Sequence, residues 1–199
     1  MKLIVGLGNP GPRYARTRHS IGARAVRALA AELGIACEEE RYFGRFGVGR
    51  IEAEEVALLL PETWMNRSGA SVGAATLELP LADLSRDLIV ALDDVDLPFG
   101  RLRLRARGSD GGQRGLRDVL AVLGREDVPR LRIGVGRDAD PMRETKDHVL
   151  DPFSADEDAA LPELLARAGA ALRCFAVAGI ADAMNRFNAA PGSPPESGS

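Results

Sequence analysis

Cysteine is scarce. The two cysteines, Cys37 and Cys174, lie far apart without metal-type spacing, which argues against a disulfide scaffold and points to a reducing compartment, the cytoplasm. Long apolar runs are missing as well. None approaches the roughly 20 residues that span a bilayer, so no membrane is expected. The short run Leu3–Val5 passes straight into the turn residues of Gly6–Gly11, unlike a signal peptide. The serine-nucleophile motif G-x-S-x-G is absent, neither cysteine has a local activating signature, and histidine occurs only at positions 19 and 148. Lysine is nearly absent too: of 26 basic residues, all but Lys2 and Lys146 are arginine. With a net charge of -3, the chain lacks the overall positive excess of many nucleic-acid binders.

What is present suits one globular domain. The 199 residues are 45% apolar and 28% charged, with no internal repeat. The arginines are unevenly placed. Five fall between Arg13 and Arg27 with no acid, and six between Arg101 and Arg117 with Asp110 as the only acid. Acids pool at 38–40, 52–55 and 151–163. Such a chain can present one basic face despite its net charge; solvated arginines of a biased composition are the plain alternative.

Apolar spacing predicts strands at Lys2–Gly6, Phe46–Ile51, Val56–Leu60, Leu88–Leu92, Arg101–Arg105 and Leu131–Val135. It predicts helices at Ile21–Leu33, from Asn66 to about Leu77, at Gly115–Leu123, and from Ser154 to about Asn188. The last is expected to kink near Gly169 or Gly179, and Ser154 followed by Glu157 fits a capping box. Strands interleaved with helices argue for an α/β domain: a single twisted mixed sheet, mostly parallel, flanked by helices. The short links around 51–56 and 96–101 suggest antiparallel pairs within it. The domain is expected over 1–188, and the Pro/Ser-rich 189–199 is expected to be a disordered tail.

Gly6–Gly11 matches the dinucleotide fingerprint G-x-G-x-x-G after a strand. Pro10 and Pro12 bracket Gly11, however, and helical spacing begins only near Ser20, so no helix N-terminus faces a pyrophosphate there. His19 stands just before a helix, where it reads as a surface or cap residue or as a general base, since imidazole titrates near pH 6.5. A base needs an orienting carboxylate. Asp93 qualifies because it closes a buried strand, and Asp94 and Asp96 are rivals. Asn9 follows the first strand and reaches the same rim if the two strands run parallel. Asn66 reads either as a helix N-cap or as an amide that donates to a carbonyl and accepts from an N–H. A base, a carboxylate and several amides suit attack of an activated water on an acyl carbon.

Several segments together resemble the bacterial peptidyl-tRNA hydrolases. They are Leu3–Gly11 (LIVGLGNPG), Tyr14, Thr17–His19, Trp64–Gly69 (WMNRSG), Asp93–Pro98 (DDVDLP) with Gly100, Gly111–Leu116 (GGQRGL), Leu131–Gly136 (LRIGVG) and Asn185–Phe187. They occur in order over about residues 2–188. The resemblance implies hydrolysis of the ester joining a peptide to the 3′ end of tRNA, by a monomer without metal or cofactor. It implies His19 as base and Asp93 as its orienting carboxylate. Asn9 and Asn66 match amides that hold substrate, Tyr14 and Met65 match residues lining the site, and Arg105 and Arg132 match basic positions that contact a tRNA phosphate.

The chain departs from the family pattern at three places. Ser20 follows the histidine where Asn is usual, Gln113–Arg114 replaces His-Asn, and a Pro/Ser tail follows Asn188. Gln113 and Arg114 are still expected to bind substrate. Gln113 keeps an amide, and Arg114 supplies donors without an acceptor, for a phosphate or an oxyanion. The arginines at 101–107, 114, 117 and 132 are expected to grip phosphates. The rival readings are a catalytically inactive RNA-binding relative of the same fold and, more distantly, a nucleotide-dependent oxidoreductase.

Overall fold

A period of two along the strands divides the interior into two layers. The computed structural model describes residues 1–138, 140, 142 and 144–189. Seven strands form one sheet: β1 (Lys2–Gly6), β2 (Glu39–Arg41), β3 (Gly44–Ile51), β4 (Glu54–Pro61), β5 (Leu88–Asp94), β6 (Leu102–Arg105) and β7 (Arg130–Gly134), in the spatial order β2-β3-β4-β1-β5-β7-β6. The central four, β4-β1-β5-β7, run parallel, while the pairs β2–β3, β3–β4 and β6–β7 are antiparallel. The sheet is thus mixed, as expected. The link at 51–56 is a hairpin turn. The link at 96–101 is not, because β7 lies between β5 and β6.

Alternate residues of each central strand face opposite layers. Ile4, Leu58 and Ile89 pack under helix α1 (Ile21–Leu33), and Leu131 and Ile133 belong to the same layer. Later helices are α2 (Ser68–Glu78), the short α3 (Leu84–Asp87), α4 (Arg114–Leu123), the short α5 (Thr145–Leu150) and α6 (Ala155–Phe187). The same layer as α1 buries Leu161, Leu164, Leu172 and Phe175 of α6. On the other face Leu3, Val5, Leu59, Val90 and Leu92 meet Val72 of α2 and Leu116 and Val119 of α4. Each such side chain contributes roughly 1.5–3 kcal/mol by leaving water.

By length and composition α6 is apolar enough to cross a membrane, a property that no single run in the sequence announces, yet its apolar stripe lies in this core. It starts with the expected capping box between Ser154 and Glu157 and breaks at Gly179, where φ is +84°. The helix expected from Asn66 is a 3₁₀ turn, Met65–Arg67, running into α2. Beyond α6, Asn188 accepts a hydrogen bond from the Leu104 N–H at 2.7 Å and donates to the Leu104 carbonyl at 3.1 Å, on the outer edge of β6. Of the tail expected over 189–199, all but Ala189 lies outside the described residues.

Candidate active site

The C-terminal ends of β1 and β5 lie side by side because the two strands are parallel, with Gly6 opposite Ala91. In open α/β sheets this rim borders the ligand crevice. Helix α1 is seated on it. The Leu7 N–H donates to the Ala91 carbonyl at 3.0 Å and the Ala23 N–H to the Leu7 carbonyl at 2.9 Å. Gly22 is required here, since a Cβ would run into the Ala91 carbonyl oxygen. The 3₁₀ turn Arg18–Ser20 before α1 is thereby held over the end of β5.

Arg18 secures that turn from the other side. Its buried guanidinium donates to the Pro152 carbonyl and to Glu157 Oε2, both at 2.6 Å, and its backbone N–H donates to the Asp151 carbonyl at 3.0 Å. It also lies 5.3 Å from the centre of the Phe153 ring. His19 then meets Asp93: its Nδ1 stands 3.0 Å from Oδ1 and 2.9 Å from Oδ2. An ionised carboxylate only accepts, so Nδ1 carries the proton and Nε2 is the basic nitrogen of the neutral ring. Among the described residues Nε2 has no protein hydrogen bond. Burial pulls the His19 pKa down. The charge of Asp93 and its hydrogen bond outweigh that, the charge of Arg114 opposes them, and the net shift is upward from 6.5.

Asp93 is buried and braced by Gln113, whose Nε2 donates to Oδ1 at 3.0 Å. The same nitrogen stands 3.3 Å from the Met65 sulfur, and Gln113 Oε1 accepts from the Leu116 N–H at 2.7 Å, capping α4. The amide of Gln113 thus supports Asp93 while it also lines the cleft, where a substrate contact is expected. Asn9 Oδ1 accepts from the Met65 N–H at 2.9 Å and ties the first loop to the 3₁₀ turn that carries Asn66. Asn66 is exposed inside that turn and is no helix N-cap, a position taken by Arg67.

These groups line one cleft of about 610 Å³ that holds Asn9, Tyr14, His19, Met65, Asn66, Asp93, Gln113, Arg114 and Arg132. Of the ten site residues read from sequence, only Arg105 is outside. It projects from β6 into solvent, paired in register with Arg130, whereas Arg132 is paired with Arg103. Arg132 is already engaged. Its Nε lies 3.3 Å from Asp94 Oδ2, an ion pair without hydrogen-bond alignment, and its terminal nitrogen donates to the Asp110 carbonyl at 3.4 Å. Gly111, at φ +60°, leaves room for that guanidinium, which a Cβ would strike. Arg130 is fully buried against the carbonyls of Gly108 and Glu126, and burial lowers its pKa to about 10. Arg114 is exposed at the cleft wall.

Other lining residues were given no site role of their own in the sequence, although Asp96 stood there as a rival of Asp93. Trp64 is 53% exposed and meets Tyr14 edge to face at 5.9 Å. Asp96 pairs with Arg137 at the rim, and Thr145 and Lys146 come from α5. The motif letters contain Trp64, but nothing in them marks it as exposed. Asp94 and Asp96, the rivals of Asp93, are taken up by Arg132 and Arg137.

Residues 3–195 match the family model described as peptidyl-tRNA hydrolase. The chain belongs to the peptidyl-tRNA hydrolase family. A peptidyl-tRNA hydrolase of Symbiobacterium thermophilum is 51% identical over 189 residues, 94% of this chain and 98% of that one. One from Chloroflexus aggregans is 47% identical over 188 residues, covering 94% and 99%. The crystal structure of peptidyl-tRNA hydrolase from Acinetobacter baumannii superposes with a TM-score of 0.85 at 36% identity, covering 95% of each chain. The likeness to the peptidyl-tRNA hydrolases thus extends over fold and sequence together.

Proposed function

We propose that this chain hydrolyses the ester between peptide and tRNA in peptidyl-tRNA and so recycles tRNA from stalled translation. The observation that carries the reading is the His19–Asp93 pair at 2.9 Å in the cleft, with Nε2 free of hydrogen-bond partners among the described residues. Water attacks the ester carbonyl carbon as His19 Nε2 takes its proton. The carbon–oxygen bond to the ribose then breaks, and the imidazolium returns the proton to the departing ribose oxygen. Asp93 holds the ring and stabilises the imidazolium. Base catalysis of this kind is worth roughly 10²–10⁴-fold. Asn9 and Asn66 hold the peptide backbone, while Tyr14 and Met65 border the terminal nucleotide and the peptide. Arg114 offers donors to the developing oxyanion, worth about 3–4 kcal/mol where such a donor is aligned. Arg105 and Arg132 contact a tRNA phosphate. No cofactor enters the scheme. We place the enzyme in the cytoplasm as a monomer that acts without a membrane.

Release of peptide from an N-acylated aminoacyl-tRNA tests the reading. Wild type is expected to hydrolyse it. His19→Ala is expected to lose turnover by at least about 10²-fold while keeping its tRNA affinity. Parallel loss of binding and turnover in His19→Ala argues against a base at this position. One observation favours the second reading, an RNA-binding relative without activity: Arg114 places a positive charge near His19 where the family usually has an amide. Wild type that binds tRNA and releases no peptide establishes that alternative.

A further inference from the structure

A second pocket opens at the sheet edge, one residue beyond the cleft. Asp96 lines the cleft, and Leu97 begins the lining of a pocket of about 650 Å³ that continues through Pro98, Phe99, Arg101 and Arg103 to Arg167 of α6. Three arginines thus line it, and among the described residues no carboxylate does. None of the three forms an ion pair among the described residues. Arg101 and Arg167 are half-buried, and each spends one donor on the protein. Arg101 donates to the Asn188 carbonyl at 2.5 Å and Arg167 to the Gly100 carbonyl at 3.2 Å. These bonds hold the forks in place and leave their other donors unused. Each guanidinium carries five N–H groups. Lining one cavity with arginines and no acid is unfavourable by itself and is relieved by a bound anion. The wall of Leu97, Pro98 and Phe99 gives an apolar surface beside the charge.

We infer that this pocket is a second phosphate site, which takes a backbone phosphodiester of the substrate tRNA away from the scissile ester. A fixed arginine fork matches phosphate oxygens two at a time. The apolar wall suits the face of a ribose, and because the successive residues Asp96 and Leu97 line the two pockets, one polymer can reach both. The polymer's identity rests on the proposed hydrolysis of peptidyl-tRNA. The pocket's use of Arg101 and Arg167 rests on the geometry alone.

The test is retention of uncharged tRNA on filters across a range of salt, which requires no turnover. Arg101→Ala/Arg167→Ala is expected to raise Kd by about ten-fold and to lower the slope of log K against log salt by about 1. Arg50→Ala, in β3 near the far side of the sheet, is expected to change neither. If the double variant melts early, Arg167→Gln, which keeps an amide donor toward Gly100, replaces it. An unchanged Kd and slope in a folded variant overturns the inference, and so does an equal loss in Arg50→Ala. Inorganic phosphate that shifts the Arg167 Nε resonance while the variant binds tRNA normally also overturns it, since the pocket then serves a free anion. Wild type that binds no tRNA defeats both this site and the proposed substrate. Wild type that binds tRNA without releasing peptide defeats only the hydrolysis.

Discussion

His19 and its neighbours set a pH profile with a defined sign. The proposed base works as the neutral ring, and its pKa is raised above 6.5 by Asp93 against burial and Arg114. kcat/KM is therefore expected to climb as pH passes through a value above 6.5 and then level off. Arg114→Ala removes the opposing charge and is expected to move that climb to higher pH. Asp93→Asn is expected to move it lower, with a plateau reduced by at least about 10²-fold. A pH–rate series on the three proteins checks both directions. The same shift has a stability side. A folded-state pKa above the unfolded one contributes stability that is complete below the unfolded value and is lost as pH rises through the folded value. Gln113 allows a separate test. Gln113→Leu removes the donor to Asp93 and the cap of α4, and is expected to cost about 1–2 kcal/mol of stability and to lower kcat more than it changes KM. Gln113→His restores an N–H donor and is expected to recover kcat, as steady-state kinetics on the pair will show. The His19–Asp93 pair was legible in the residue types, but the bracing role of Gln113 was not. Gln113 reads as a substrate amide, and only folding brings it onto a carboxylate 20 positions earlier as well.

At the scale of elements, the ties from Thr17–Arg18 to 151–157 couple the proposed base to the start of α6. Arg18→Met leaves Glu157 without its partner and is expected to destabilise the protein by about 2 kcal/mol in chemical denaturation, because the pair is partly buried. Elements whose own residues carry an apolar period were readable. Leu88–Leu92 announces a buried strand, and positions 21, 25, 26 and 29 announce the buried face of α1. Elements without such a period were not. All three residues of β2, Glu39–Arg41, are exposed, and the strand exists through its pairing with β3. Helix α5 spans six residues, too few to show a repeat, yet it supplies a wall of the cleft. The 96–101 link looked like a hairpin because sequence shows its length and not the strand that inserts beside it. The kink of α6 falls at Gly179 rather than Gly169, which stays helical and buried between the arms of the core.

The whole molecule reconciles a net charge of -3 with three arginines that line one pocket, where no acid stands among the described residues. Two helical layers cover the faces of the sheet and leave the ends of β1 and β5 open as the cleft, so the order of strands decides where chemistry is placed. One edge of that sheet needs separate protection. A bare outer strand invites another chain to add to it through peptide hydrogen bonds. At Leu104 both outward peptide groups are already occupied by the Asn188 amide, which imitates one residue of a missing neighbour. Asn188→Ala is expected to expose that template and to produce more concentration-dependent association in sedimentation velocity than the wild type shows. A single side chain after α6 thus plugs one rung of the outer edge of β6, where another strand would otherwise add.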